Sequence, residues 1–111
     1  MEVTCPTERS LTYGARKVLE DAADTFRHDS MGFDIDAQGC HPVLCEHGTG
    51  LWVCNPQLVW RNVMGIDATV VMDAILANDT CRDPQNGDAS VQGEAHYAGE
   101  DWSVVFGGCS C

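Results

Sequence analysis

Residues 39–55 read G-C-H-P-V-L-C-E-H-G-T-G-L-W-V-C-N, and this stretch decides the fold. It predicts two extended segments, residues 40–46 and 51–55, joined by a turn at residues 47–50 whose glycines tolerate the positive φ that a hairpin needs. Pro56 ends the second segment because proline has no amide hydrogen to donate to a ladder. The stretch carries three cysteines, so the functional question is whether they form disulfides, bind a metal or catalyse a reaction.

The cysteine content favours disulfides. Seven cysteines in 111 residues are typical of a small secreted domain, and the length predicts a single cysteine-rich domain spanning residues 1–111. Because seven is odd, one cysteine has no partner within the chain, and Cys5 and Cys111, near the termini, are the candidates to stay free or to bond a partner. The full set of disulfide candidates is Cys5, Cys40, Cys45, Cys54, Cys81, Cys109 and Cys111.

The charge of the chain limits its partners. A formal net charge of −11, with 17 acidic and 6 basic residues, opposes binding to nucleic acid or to an anionic membrane. No run approaches the roughly 20 apolar residues of a membrane span. Residues 1–5 lack the features of a signal peptide, so the secreted hypothesis expects a mature chain behind an added start methionine. In that setting Asn78, in an Asn-Asp-Thr sequon, is a glycosylation candidate.

Periodicity predicts two helices. The first helix has one apolar stripe and Ser10 or Thr7 as its N-cap. The stripe consists of Leu11, Ala15, Val18, Leu19, Ala22, Ala23 and Phe26. Residues 67–78 predict a second helix that buries Val70, Val71, Ala74, Ile75 and Ala77. Residues 2–5 predict a short strand, residues 32–39 a loop, and residues 91–97 and 102–106 the last two strands.

The resulting order, β-α-β-β-α-β, predicts an α+β fold of the ferredoxin-like type. In this sandwich two helices pack on one face of an antiparallel sheet with strand order 4-1-3-2, and here disulfides staple it. Strand ends alternate between its two edges. This places Cys45 and Cys81 at the same edge and predicts a Cys45–Cys81 bridge, with bridges among the other cysteines at the opposite edge.

Metal and catalytic alternatives have weaker support. Five possible zinc ligands are close in sequence, namely Cys40, His41, Cys45, His47 and Cys54. Their spacing matches no common zinc finger. The odd separation of Cys40 and Cys45 also places these two residues on opposite faces of the strand. The calcium-like start at Asp34 and Asp36 lacks the closing glutamate, because Cys45 stands there. Cysteine–histidine catalysis, or an acid dyad at Asp34 and Asp36 or at Glu100 and Asp101, has no supporting pattern. We predict no enzyme activity, no metal and no cofactor.

The tryptophans are the candidate interface residues. Trp52 and Trp102 fall on predicted strands, and Trp60 falls in the linker before the second helix. A sandwich with an open sheet face or edge presents such residues to a protein partner, by face packing or strand addition. Trp52, Trp60 and Trp102 are therefore candidate contacts of a homodimer or heterodimer, with burial as the alternative for Trp52 and Trp60.

The chain resembles a group of small cysteine-rich secreted fungal proteins. The features that carry the resemblance are C-H-P-V-L-C, G-T-G-L-W-V-C-N, a helix ending at Cys81 and the terminal W-S-V-V-F-G-G-C. The resemblance covers roughly residues 39–111. The group includes effectors with a killer-toxin-like fold, and the chain is also similar to secreted-in-xylem type effectors, which act in cooperating pairs. Pro42 and Pro56 depart from the arginine and aspartate usual in its motifs.

The resemblance implies a secreted virulence-type or avirulence-type effector that acts in the host apoplast or host cell. It implies binding to a second effector or to a host protein, with no active site carried over. The alternative that it implies is a killer-toxin-like antifungal or cytotoxic protein, although the charge of −11 argues against an anionic membrane target.

Overall fold

The computed structural model describes residues 2–5, 12–28, 32–85, 87–97 and 99–109. In these residues the chain adopts an α+β fold with two helices, α1 (Arg16–His28) and α2 (Gly65–Ala77), and antiparallel sheets. A 3-10 turn, Asp79–Cys81, follows α2. The strands, in chain order, are β1 Val3–Thr4, β2 Gly14–Ala15, β3 Gly32–Ile35, β4 Cys40–Glu46, β5 Thr49–Cys54, β6 Arg61–Met64, β7 Arg82–Asp83, β8 Gly87–Val91, β9 Gly93–His96 and β10 Ser103–Gly108.

The predicted hairpin is present as β4 and β5, which pair antiparallel. Its turn consists of two residues, His47 and Gly48, both at positive φ (52° and 70°). Two consecutive positive φ angles are the backbone of the type I′ turn, whose twist suits a two-residue hairpin. As a result β5 begins at Thr49, two residues earlier than predicted.

The main sheet has five strands in the order β1-β9-β10-β5-β4, and β10 lies at its centre. Every residue of β10 is buried. One face of the sheet joins the core through Leu51, Val53, Val104 and Phe106, all 0% exposed. Helix α2 packs on β9 and β10, and α1 packs on α2 and β8. The last strand of the chain therefore supplies the centre of the fold.

The first strand does not lie where the 4-1-3-2 order puts it. Strand β1 is only two residues long and pairs with β9 at the edge of the sheet. The site beside β5 is taken by β10, which forms a continuous ladder of six residue pairs with β5. A six-residue apolar strand forms a longer ladder and buries more side chains than a two-residue strand. This explains why β10, and not β1, lies beside β5.

Two smaller sheets were not predicted. The order β2-β8-β7 forms one, and β3 pairs with β6 in the other. Residues 32–39 therefore hold a strand as well as a loop, with Phe33 and Ile35 buried and their neighbours exposed. The predicted strand over residues 91–97 corresponds to the end of β8 and to β9.

Both helices differ from their predicted bounds. Helix α1 starts at Arg16 because Gly14 and Ala15 pair with β8. Its predicted stripe is confirmed from Val18 to the end, while Leu11, Ser10 and Thr7 lie outside the described residues. Helix α2 starts two residues early, and its core face is formed by Ala68, Thr69, Val71, Met72 and Ile75.

The predicted inward positions of α2 are therefore wrong in part. Val70 is 47% exposed and Ala77 is exposed, whereas Val71 and Ile75 are fully buried. The helix is apolar on most sides, so periodicity alone did not define which face packs.

A register shift in β4 overturns the expected orientation of two cysteines. The pairing with β5 shifts between Pro42 and Leu44, so one residue of β4 has no directly opposite partner. Cys40 faces Cys54 and Cys45 faces Gly50. Since residues 50 and 54 share a face of β5, Cys40 and Cys45 also share a face, and the prediction of opposite faces is wrong.

Disulfides join two pairs of described cysteines. Cys5 bonds Cys81 across a sequence separation of 76, and Cys40 bonds Cys54 across 14, between directly opposed residues of β4 and β5. The predicted Cys45–Cys81 bridge is therefore wrong, and Cys5, a candidate to stay free or to bond a partner, pairs within the chain instead. The sulfur of Cys45 lies instead 3.0 Å from that of Cys109.

The edge position of β1 accounts for the Cys5–Cys81 pairing. Pairing of β1 with β9 carries Cys5 to the end of α2, where Cys81 is 0% exposed. Gly93 of β9 leaves room for the bridge, because a Cβ there would lie 2.8 Å from the sulfur of Cys5 and 3.0 Å from that of Cys81.

Candidate functional site

The most exposed large apolar side chains of the described chain belong to three consecutive residues after β5. Leu58 is 79% exposed, Val59 67% and Trp60 65%, and we call these three residues the Leu58 segment. Burying an apolar side chain of this size stabilises a protein by about 1.5–3 kcal/mol. An exposed apolar run that includes tryptophan is therefore a candidate contact surface for another molecule.

The buried side chain of Asn55 holds the loop that carries this segment. Its amide Nδ2 donates to the carbonyl oxygen of Val59 at 2.9 Å. The same Nδ2 donates to the carbonyl oxygens of Asp36 at 3.3 Å and Ile35 at 3.4 Å. Its Oδ1 accepts from the backbone N–H of Gln57 at 3.0 Å. At 1% exposure this amide is inside the protein. Its bonds to Ile35 and Asp36 hold the loop against the end of β3, and its bonds to Gln57 and Val59 fix the shape of the loop itself.

Two neighbouring turns support the same loop. The backbone N–H of Gln38 donates to the carbonyl of Gln57 at 2.9 Å. The side-chain Nε2 of Gln57 donates to the carboxylate of Asp101, and Arg61 Nη2 lies 3.0 Å from Glu100 Oε2. Both of these acids belong to the turn between β9 and β10. A loop anchored from two sides loses less conformational entropy when a partner docks on it.

A pocket of about 230 Å³ opens beside this loop. Its floor lies on the face of the main sheet opposite the core. There His96, Ser103, Cys54 and Cys40 follow one another across β9, β10, β5 and β4. Asn55 also lines the pocket, so the residue that fixes the Leu58 segment forms part of the pocket wall.

The pocket and its surroundings are acidic. Glu94 and Asp101 line it. The arginines and lysine in the described residues each lie within 4 Å of a carboxylate, in the pairs Arg16–Glu20, Lys17–Asp21, Arg27–Asp73, Arg61–Glu100 and Arg82–Asp79. The acidic residues outnumber the basic ones by 17 to 6, so the surface as a whole keeps a negative field.

No protein-family model, curated protein or solved structure matches this chain. The assignment of its site therefore rests on its own residues. In the described ranges, no group of three or more His, Cys, Asp or Glu side chains is arranged to hold a metal ion. No helix there has the length and apolar character needed to cross a bilayer.

The three predicted interface tryptophans have different environments. Trp60 is exposed, as part of the Leu58 segment. Trp102 is only 3% exposed and stacks on Tyr97, with ring centroids 5.2 Å apart, so it is removed from the candidate interface. Trp52 is half-buried, and its ring lies over Gly50, where a Cβ would collide with it.

The residues considered for metal binding and catalysis are structurally engaged. Cys40 and Cys54 are bonded to each other, so neither offers a thiolate. His41 packs on Phe33 with ring centroids 5.6 Å apart. Asp34, the first position of the calcium-like motif, lies in β3, and its carboxylate accepts from the Asn62 side chain at 3.0 Å.

The glycosylation candidate lies at the end of α2. Asn78 is half-buried, and its Oδ1 accepts from the backbone N–H of Thr80 at 3.0 Å and from the Thr80 hydroxyl at 2.7 Å. The sequon asparagine therefore caps the following 3-10 turn.

Sequence reasoning missed most of this site. It singled out Trp60 and left out Leu58, Val59 and Asn55. The signal was present, because three apolar residues follow Pro56 with neither helical nor strand periodicity. The run lies outside the predicted helices and strands, and an apolar run in a linker is a candidate surface feature.

Proposed function

We propose that this chain is a secreted effector-type binding module that acts by docking a protein partner on the Leu58 segment. The observation that carries the proposal is the exposure of three consecutive apolar side chains on a loop fixed by a buried amide. A mobile apolar loop would fold back on the protein. One that is held out and ordered is suited to contact with another apolar surface.

The chemistry of the segment favours a protein partner. Tryptophan and leucine side chains supply the apolar contact area that protein interfaces concentrate at their centres, and tryptophan is enriched among the residues that dominate binding energy. The acidic surface opposes nucleic acid, whose phosphates carry the same charge. No catalytic step forms part of the proposal.

We also propose that this fold is related to that of killer-toxin-like effectors. Strands β9, β10, β5 and β4 have the neighbours and antiparallel directions of a 4-1-3-2 sheet, provided that β10 takes the place of the first strand. We infer a circularly permuted ferredoxin-like sandwich, in which the central strand comes from the end of the chain. The α+β sandwich with disulfides supports the resemblance to small cysteine-rich fungal effectors.

The disulfides support secretion, and we propose that the chain acts in the host apoplast or host cell. Bridges of this kind persist in oxidising compartments and are reduced in the cytosol. Cooperation with a second secreted effector, as in the secreted-in-xylem type pairs, is the partner arrangement that we favour.

A killer-toxin-like antifungal or cytotoxic activity is the second candidate. The same exposed leucine and tryptophan are side chains that enter the interfacial region of a bilayer. Against this, the charge of −11 repels anionic lipid. Inhibition of fungal growth by the purified chain, together with binding to neutral lipid vesicles, would favour this candidate over protein docking.

Affinity capture tests the proposed function. The disulfide-bonded chain is immobilised and offered the secreted proteins of its own source organism and of its host. We expect a captured protein that is lost with the Leu58→Ser/Trp60→Ser variant and retained by the Ile66→Ser/Val70→Ser control. Ile66 and Val70 are 49% and 47% exposed, so the control removes a comparable pair of exposed apolar side chains from α2. Equal loss with both variants would refute the docking site.

A further inference from the structure

We propose that the pocket beside the Leu58 segment accepts one basic side chain, lysine or arginine, from the docked protein partner. This inference rests on the proposed function and adds the chemistry of the partner. The partner would present a basic residue next to the apolar residues that cover Leu58, Val59 and Trp60.

The size of the pocket fits a single side chain. At about 230 Å³ it is smaller than the 300–1,000 Å³ typical of sites for drug-sized ligands. Its wall includes Asn55 and Pro56, and only Gln57 separates these residues from the Leu58 segment along the chain. One partner can therefore contact both.

Charge selects a cation. Asp101 and Glu94 line the pocket. The partner of Asp101 is the neutral amide of Gln57, which donates a hydrogen bond and leaves the carboxylate charge in place. An ammonium or guanidinium group beside Asp101 gains a charge-assisted hydrogen bond. A carboxylate or phosphate entering the same pocket would be repelled.

A buried hydroxyl supplies a further acceptor. Ser103 is 4% exposed and lines the pocket from the central strand β10. A serine hydroxyl has two acceptor lone pairs, so a donor arriving from the ligand would find an acceptor at the wall of the pocket.

Asn55 orders both parts of the surface. Its Nδ2 holds the carbonyl of Val59, while its position against Asp36 sets the wall of the pocket. The apolar segment and the acidic pocket therefore keep a fixed relative position before any partner arrives. Such preorganisation favours one partner sequence, with apolar and basic residues adjacent, over a generally basic protein.

The probe for this proposal is Nα-acetyl-arginine amide, compared with the neutral Nα-acetyl-citrulline amide. Both are titrated into the disulfide-bonded, isotope-labelled chain, and backbone amide shifts are followed by NMR. We expect saturable shifts at Ser103, His96 and Asn55 with the arginine probe and none with citrulline. Equal shifts with both probes would show that charge is not recognised.

Variants locate the binding. Asp101→Asn keeps an oxygen for the Gln57 bond and removes the charge. We expect Asp101→Asn to weaken arginine binding about tenfold, the loss of one charge-assisted hydrogen bond. Asp24→Asn on α1, where Asp24 is 76% exposed, is the control and should leave binding unchanged.

Two results would overturn the proposal. Arginine shifts spread over the acidic surface, and equally reduced by Asp24→Asn, would indicate non-specific attraction. Binding of free arginine with no effect of Asp101→Asn on capture of the protein partner would assign the pocket to a small amine. In either case, capture of the protein partner by the Leu58→Ser/Trp60→Ser variant does not depend on the pocket, so the proposed function is tested separately.

Discussion

Asn55 is the residue on which the candidate surface depends. Its side chain is buried, and it uses both ends of its amide, with Nδ2 donating to three carbonyl oxygens and Oδ1 accepting from Gln57. An aspartate has nearly the same shape and no donor. The identity of this residue as an amide is therefore a chemical requirement of the loop.

A matched pair of substitutions tests this requirement. Asn55→Asp turns a donor toward three carbonyl oxygens into an acceptor, and we expect a loss of about 3 kcal/mol in the free energy of unfolding. Asn78→Asp is the control, because Asn78 uses only its Oδ1, and aspartate keeps that acceptor. Its cost should stay below about 0.5 kcal/mol. Urea unfolding measures both, and equal costs would contradict the role given to Asn55.

At the scale of elements, helix α2 shows why local pattern was insufficient. Its sequence is apolar almost throughout, so five inward positions could be chosen in more than one way. The choice depends on which side meets β9 and β10, and these strands lie far along the chain. By contrast, α1 carries charges on one side, and its buried stripe was correct from Val18 onward.

Adjacent valines of α2 give a direct check of its orientation. Val71 is 0% exposed and Val70 is 47% exposed. We expect Val71→Ala to lower the free energy of unfolding by about 2 kcal/mol, through lost burial and the cavity left behind. Val70→Ala should change it by no more than about 0.5 kcal/mol. Thermal or urea unfolding of the two variants compares them, and the reverse order would show that the helix faces the other way.

The β4–β5 hairpin shows that local sequence pattern is also insufficient to predict the register of a strand. Its existence, its turn and its second strand were predictable, because glycines and β-formers mark them. The register shift between Pro42 and Leu44 was not, and it turned Cys45 to the face of Cys40. A single extra residue reverses every face assignment after it, so counting along β4 could not predict which sulfurs meet.

The two bridges should contribute unequally to stability. In the chain-entropy account, removal of Cys5–Cys81 costs about 4.5 kcal/mol because it closes the longer loop, and removal of Cys40–Cys54 costs about 3 kcal/mol. Paired alanine variants of each bridge, compared by urea unfolding, measure the difference. A larger loss from the Cys40–Cys54 pair would show that the edge strand β1 contributes little to the folded state.

At the scale of the whole molecule, the end of the chain supplies the centre of the sheet. The sequence predicted two helices and an antiparallel sheet, and both are present. It placed residues 2–5 at the centre, because topology was inferred from element order alone. Which strand occupies the centre depends on the length of apolar ladder that it can form, and β10 pairs along its full length with β5.

The same arrangement leaves the most exposed apolar run of the described residues without a structural explanation. The disulfides, the central strand and the helix layer together account for the buried side chains, but not for Leu58, Val59 and Trp60. Their loop is fixed by Asn55 and supported by the turn that ends at Asp101. A scaffold built to hold three apolar residues in solvent is the basis of the proposed docking function.

Site-specific photo-crosslinking tests that claim most directly. A photoreactive phenylalanine analogue replaces Leu58 in one protein and Ile66 in another, and each is irradiated with the secreted proteins of the source organism and its host. The account predicts a discrete crosslinked partner from position 58 and none from position 66. A partner captured from position 66, with none from position 58, would contradict it.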